Sequence, residues 1–313
     1  MKYEDMTFEV LGTHRQRPMY LRKFTTFRSE LDMATYPRDP HAYTEIFLDT
    51  IDKWIASHKY IKYNGLESFS RRDVILGTTH QLDELHLLHG ENIVVYKGEY
   101  KYHRRLTNHS VRQINTYTQL RKGDVFIVSY PSCITTGKID EFDELLDYCA
   151  KLYIPVHIDG AWFGQCRNIE ISVDHPAIQS VSVSLSKALG MGNQRIGIRY
   201  TKDRVNGPIA IMNDFGYVNA SDMWVGVEAT TYFGADYWWA NYGELYTKVC
   251  KDFDLLESDS IHAAWKDNIL YGIRTPLRML IEGIYDERGT DKGLSDIERK
   301  DRSNEVWKSM SRH

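Results

Sequence analysis

From Asp73 to Lys202 the chain alternates short apolar runs with amphipathic stretches, and no other feature narrows its fold as much. The runs in "DVILG", "ENIVVY", "GDVFIVSYPS", "IPVHIDG", "IQSVSVSLSK" and "RIGIRYTK" are too short for helices and rich in Val and Ile. Between them, "TTHQLDELHLLHG" and "DEFDELLDYCAKLY" place apolar residues at helical spacing. Strands joined through helices return to one sheet by right-handed crossovers. The order therefore predicts an α/β fold with a mainly parallel sheet covered by helices on both faces. In such sheets ligands bind beyond the carboxyl ends of the strands. Polar residues gather at those ends, as in "HIDGAW" and "SLSK".

At 313 residues a large domain plus a smaller one is expected. The first 45 residues read as irregular, closing in the loop "ATYPRDPHAY", and a helix follows from Thr44 as its cap. A long helical stretch is predicted from Ser221 to about Leu256, with Gly226, Gly234 and Gly243 as candidate breaks. Its cluster "DYWWANYGELY" is read as packing or a subunit contact. "NILYGIRTPLRMLIEG" belongs to the small domain, and the charged tail after Gly289 is expected to be peripheral.

The 39 basic and 43 acidic residues, net charge -4, leave no electrostatic footprint for nucleic acid or an anionic membrane. No apolar run is long enough to span a bilayer, and acids stand where a signal peptide would be apolar. A cytoplasmic protein is the expectation. Cys133, Cys149, Cys166 and Cys250 show no CxxC spacing, so free thiols are expected and no metal site.

In "SVSLSKALGMGNQRIGIRY" a lysine, Lys187, follows a buried strand. A buried ammonium is costly unless paired or neutralised. A desolvated lysine amine, however, is a nucleophile able to hold a carbonyl as a Schiff base. Ser184 precedes Lys187 by three residues, Arg195 follows it by eight, and Asp159 in "HIDGAW" precedes it by 28. A Gly-Thr turn, Gly77 and Thr78 in "LGTT", opens a helix further upstream. This pattern resembles the aspartate aminotransferase superfamily, the fold-type I enzymes of pyridoxal 5'-phosphate (PLP). It covers Tyr36 to Tyr200 well and the rest loosely.

The resemblance implies a PLP-binding large domain over 46–255. It also implies a reduced α+β small domain and N-terminal arm over 1–45 and 256–313. Lys187 would carry the Schiff base, and Asp159 would keep the pyridine nitrogen protonated so that the ring accepts electrons. Gly77, Thr78, Ser184 and Arg195 would hold the phosphate. Tyr100, with Tyr102 as rival, would stack on the ring, and His103 would orient Asp159. Tyr36 would reach the partner's phosphate across a homodimer, and Arg278, with Arg274 in reserve, would bind a substrate carboxylate.

Two departures stand out. Ile134 in "YPSCITTGKID" replaces the family's asparagine, and Trp162 its usual tyrosine. Both changed positions serve the cofactor's phenolic oxygen in the family, though the Trp162 indole N–H can donate one bond. The chain is also short at its C-terminus. The implied activity is aminotransferase chemistry on an amino acid or related small amine and a keto acid. A lyase, decarboxylase or racemase of the same fold, or a non-catalytic scaffold, stays open. Ser186 stands where group II decarboxylases carry histidine, and no Gly-x-Gly-x-x-Gly supports a dinucleotide fold.

Overall fold

A computed structural model describes residues 2–13, 18–104 and 111–285, so the charged tail beyond Gly289 lies outside the described residues. Its centre is a seven-stranded sheet: β1 (Arg71–Ile75), β2 (Ile93–Tyr96), β3 (Arg112–Ile114), β4 (Val125–Ser129), β5 (Val156–Gly160), β6 (Ile178–Ser184) and β7 (Gly197–Thr201). The spatial order is β1-β7-β6-β5-β4-β2-β3. Strands β3, β2, β4, β5 and β6 pair in parallel, and only β7 is reversed, antiparallel to both β6 and β1. The alternation therefore folds as the expected mainly parallel α/β sheet. Every residue of β4, β5 and β7 is buried, as continuous Val and Ile runs require when helices cover both faces.

The reversed strand has a local cause. A short helical turn, Leu185–Ala188, and a loop join β6 to β7 without a crossover helix, so the chain can return only antiparallel. Gly197 permits close pairing there, since a Cβ would lie 2.3 Å from the Val183 carbonyl oxygen.

A second sheet, antiparallel throughout, pairs Gly12–Thr13 with Ile269–Gly272, which pairs with Ala263–Lys266 and that with Leu256–Glu257. It brings the N-terminal segment against the late part of the chain.

Several local expectations are corrected. The first 45 residues contain a helix, Arg22–Ser29. The next helix is Pro40–Ala56, capped by Asp39, whose carboxylate accepts from the amides of His41 (3.0 Å) and Ala42 (3.2 Å). Asp39 with Pro40 behind it is a stronger start signal than Thr44, because the proline ring presets φ and the aspartate satisfies orphan amides. Of the three candidate glycine breaks only Gly234, at φ +74, ends a helix; Gly226 lies within Ala220–Phe233 and Gly243 within Tyr237–Asp252. At Gly226 a Cβ would meet the Phe47 ring at 3.0 Å, so the glycine lets two helices approach.

"PLRMLIEG", which holds the expected carboxylate ligand Arg278, lies on a helix, Arg274–Glu282. Tyr237, Trp238, Trp239 and Tyr246 are buried within the chain, which makes "DYWWANYGELY" a packing element. Among the described residues no helix is long and apolar enough to cross a membrane.

Candidate active site

The turn Leu185–Ala188 carries Lys187 past the end of β6. Ser186 and Ala188 are buried while Lys187 keeps partial exposure. Its backbone is pinned from both sides: the Gln165 amide donates to the Lys187 carbonyl (2.5 Å) and the Trp238 indole to that of Ala188 (2.6 Å). The amine stands 4.9 Å from the centroid of the Trp162 ring, over its face. Burial lowers the lysine pKa, with Arg195 adding to the effect, while Asp159 and Cys133 pull the other way. Desolvation wins, so the amine is more readily neutral than a surface lysine.

Asp159 ends β5, in register with Ser129 of β4 and Ser182 of β6. It is 3% exposed. Burial raises its pKa, and the Lys187 charge, the Thr78 hydroxyl and the Ala161 amide (2.9 Å) restrain that rise. Lysine and aspartate thus lie at the carboxyl ends of adjacent strands, near enough for each charge to act on the other.

A third corner is built for an anion. Gly77, at φ +73, caps the helix Thr78–His89, and a Cβ there would lie 2.8 Å from Arg195 Nη2. Arg195 donates to the Thr79 hydroxyl and to that of Ser186 (3.3 Å), and it holds a left-handed backbone at φ +45. A non-glycine residue held there is strained, as residues in binding sites often are. A guanidinium beside helix N-terminal amides is a recurrent phosphate cradle.

The other expected residues fall differently. Thr78 turns its hydroxyl to Asp159, and Thr79 meets Arg195 instead. The Ser184 hydroxyl is used in the turn, accepting from the Ser186 amide (3.1 Å) and donating to the Ser186 hydroxyl (2.8 Å). Ser186 is therefore the serine that touches Arg195. Tyr100 feels both Asp159 and Arg195 and stacks on Tyr102 (5.8 Å, 14°), whose hydroxyl is tied to Asp83 (2.8 Å). Tyr100 is thus the aromatic turned to the site.

His103 is buried and pairs with His86 (3.1 Å), so its hydrogen bond does not run to Asp159. The cause is the short 3-10 turn Lys101–Arg104, which swings the ring toward the helix Thr78–His89. Tyr36 packs edge-on against Trp224 (5.5 Å) within its own chain. Arg278 bonds Glu282 one helical turn on (2.8 Å), whereas Arg274 acts on Tyr20 and His262. Tyr20 in turn senses Arg195, and His262 packs against Trp162 (6.3 Å) and Trp238 (5.0 Å). Arg274 thus lies close to Tyr20 and His262, residues that neighbour Arg195 and Trp162.

Sequence reasoning missed Thr79, Ser186, Tyr20, His262, Glu99 and Cys133. The first two adjoin residues it did name. Tyr20 and His262 are distant in sequence and no local pattern marks them. Cys133 lies one residue before Ile134 and senses Asp159 directly.

No protein-family model and no curated protein matches the sequence. Solved structures do. A PLP-bound C-S lyase from Staphylococcus hominis superposes with TM-score 0.59 at 10% identity, over 90% of this chain and 89% of that one. An aromatic aminotransferase from Pyrococcus horikoshii matches with TM-score 0.55 at 13% identity, over 84% and 81%. The alanine aminotransferase of Pyrococcus furiosus matches with TM-score 0.55 at 12% identity, over 93% and 89%. The chain has the fold of the fold-type I PLP enzymes. Lys187 and Asp159 lie at the strand ends where α/β sheets place ligands.

Proposed function

We propose that this chain is a PLP-dependent enzyme acting on an amino acid or related small amine, with Lys187 carrying the cofactor. The observation that carries the reading is the placement of Lys187 and buried Asp159 at adjacent strand ends, together with the Arg195–Gly77 corner at the helix N-terminus. The donor set fits the group: an amine for the aldehyde, a carboxylate for a pyridine nitrogen, and a guanidinium with helix amides for a phosphate dianion. When bound, the cofactor supplies an electron sink for charge developing at the substrate Cα.

The residues divide the remaining work. Arg195, Thr79, Ser186 and the Gly77 turn bind the phosphate. Asp159, fixed by Thr78 and the Ala161 amide, holds a proton on the ring nitrogen. Lys187, its pKa lowered by burial, takes a proton from Cα as the neutral amine and returns it nearby. Trp162 covers the amine and excludes water, and Arg274 is the candidate for a substrate carboxylate.

Aminotransfer is the first reading, supported by the Asp-x-Ala-aromatic-like "DGAW" and the Ser-x-x-Lys spacing. Lyase chemistry is the second, since C-S lyases are among the matched structures and the phenolic-oxygen positions have changed. A homodimer in which Tyr36 reaches the partner's phosphate belongs to the same proposal. The test is borohydride reduction after incubation with PLP. A mass increment mapped to Lys187 is the expected result, and its absence ends the proposal. A keto-acid product paired with aminated cofactor marks aminotransfer; released ammonia marks a lyase.

A further inference from the structure

Beside the lysine lies a buried acid–thiol pair that the mechanism above does not use. Glu99 is 4% exposed, yet it accepts from the Ser129 amide (3.1 Å), the Ser129 hydroxyl (2.7 Å), the Tyr100 amide (2.9 Å) and the Cys133 thiol (2.8 Å). A carboxylate removed from water is costly, so burial raises the Glu99 pKa, and this set of donors restrains the rise. The Cys133 amide is itself tied to the Ser129 hydroxyl (3.0 Å), so the thiol is held at both backbone and sulfur.

The clamp aims at the site. Cys133 acts electrostatically on Lys187 and on Tyr100, and Asp159 acts on Cys133. The Cys133 amide is bonded to the hydroxyl of Ser129, which stands in register with Asp159, so the thiol lies at the strand ends that carry the site. Glu99 is also bonded to the backbone of Tyr100, which links the thiol to that aromatic wall. Among the four cysteines Cys133 alone keeps partial exposure, Cys149, Cys166 and Cys250 being buried. A thiol with no role in a ligand site would not need a buried acid to orient it.

We propose that Cys133 is a cofactor-contacting residue of this site, and that Glu99 is the positioning residue that holds it there. The proposal rests on the PLP reading. Sulfur offers a polarisable surface suited to lie against a ring. Because Glu99 occupies the S–H, the sulfur lone pairs are what the site presents.

Iodoacetamide alkylation followed by mass spectrometry tests this on the wild-type chain, with PLP removed and with PLP restored. Burial and the Glu99 carboxylate hold the thiol protonated, so the reaction is run at raised pH. Without cofactor Cys133, the partly exposed thiol, should react first, and restored PLP should slow it on the order of tenfold by covering the sulfur. No reaction at Cys133 without cofactor would show that it does not open to the site. Borohydride fixation on Lys187 in parallel separates the two ideas. Fixation on Lys187 with Cys133 alkylated at the cofactor-free rate overturns the contact and leaves the PLP reading intact. No fixation removes both.

Glu99→Gln supplies a readout that a merely structural role would not move. The Glu99 carboxylate keeps the thiol protonated, so its loss should raise the thiolate fraction and speed alkylation of the cofactor-free protein several-fold. An unchanged rate in a folded variant would refute the positioning role.

Discussion

At the scale of single residues, burial and pairing decide which charges do chemistry and which hold structure. Lys187, on the turn just past β6, and Arg199, within β7, are both basic residues of the central layer, but their partners differ. Arg199 on β7 is 2% exposed and donates to Asp73 (2.6 and 3.2 Å) and to Glu84, which also accepts from the Ile209 amide (2.7 Å). This ion group is saturated, and its role is structural. Glu84→Leu would strand the guanidinium, and removing one partner of a buried pair costs about 3–5 kcal/mol. Urea titration should show that loss; a change within error of zero would mean the site is wetter than it looks. Lys187 has no such saturating partner, and its amine stays available. Arg195→Leu should leave the chain folded while weakening PLP retention on the order of a hundredfold, since a charge-assisted phosphate contact is lost. Equilibrium dialysis measures it, and wild-type retention would remove Arg195 from the cradle.

At the scale of elements, caps and close approaches fix where segments begin and how near they come. Asp39→Ala removes both cap bonds of Pro40–Ala56 and should destabilise by about 1 kcal/mol. Thermal melts would reveal it, whereas Thr44→Ala, inside that helix, should show no capping loss. Gly197→Ala tests the reversed strand. With the Val183 carbonyl 2.3 Å from the new methyl, β7 must move off β6, and the pinned lysine turn would move with it. Loss of stability together with slower PLP fixation is expected, and a variant that keeps both unchanged contradicts this packing.

At the scale of the whole molecule, buried histidines make the fold sensitive to acid. His103, His157 and His262 are pushed down to about 3 from an ordinary 6.5, in each case chiefly by burial. Secondary pushes come from His86 on His103, from His89 and Arg199 on His157, and from Arg274 on His262. Between those values the unfolded chain binds protons that the folded chain refuses, so stability falls as pH drops. The full contribution holds above 6.5 and is lost progressively down to about 3. Melting temperature should therefore decline from neutral pH toward pH 4, more shallowly in His157→Asn. Parallel curves for the two proteins would show that His157 carries none of the effect.

The linear chain determined what local physics can write. Short β-branched runs separated by helical periods leave a parallel α/β sheet as the economical arrangement. A lysine behind such a run, with Asp159 and Arg195 at set distances, could be picked out because strand ends are where that architecture puts polar groups. Neighbouring choices were not legible. Whether Thr78 or Thr79, Ser184 or Ser186, faced the arginine turned on one or two residues of register in a capped turn. His103 was drawn to His86, and Arg278 to Glu282 one turn along its helix, because a 3-10 turn and a helix set their directions. The clamp of Glu99 on Cys133 joins positions 34 residues apart, and such pairings arise only when packing brings segments together. Periodicity records which face of an element is buried; it holds no information about which distant side chain will be waiting there.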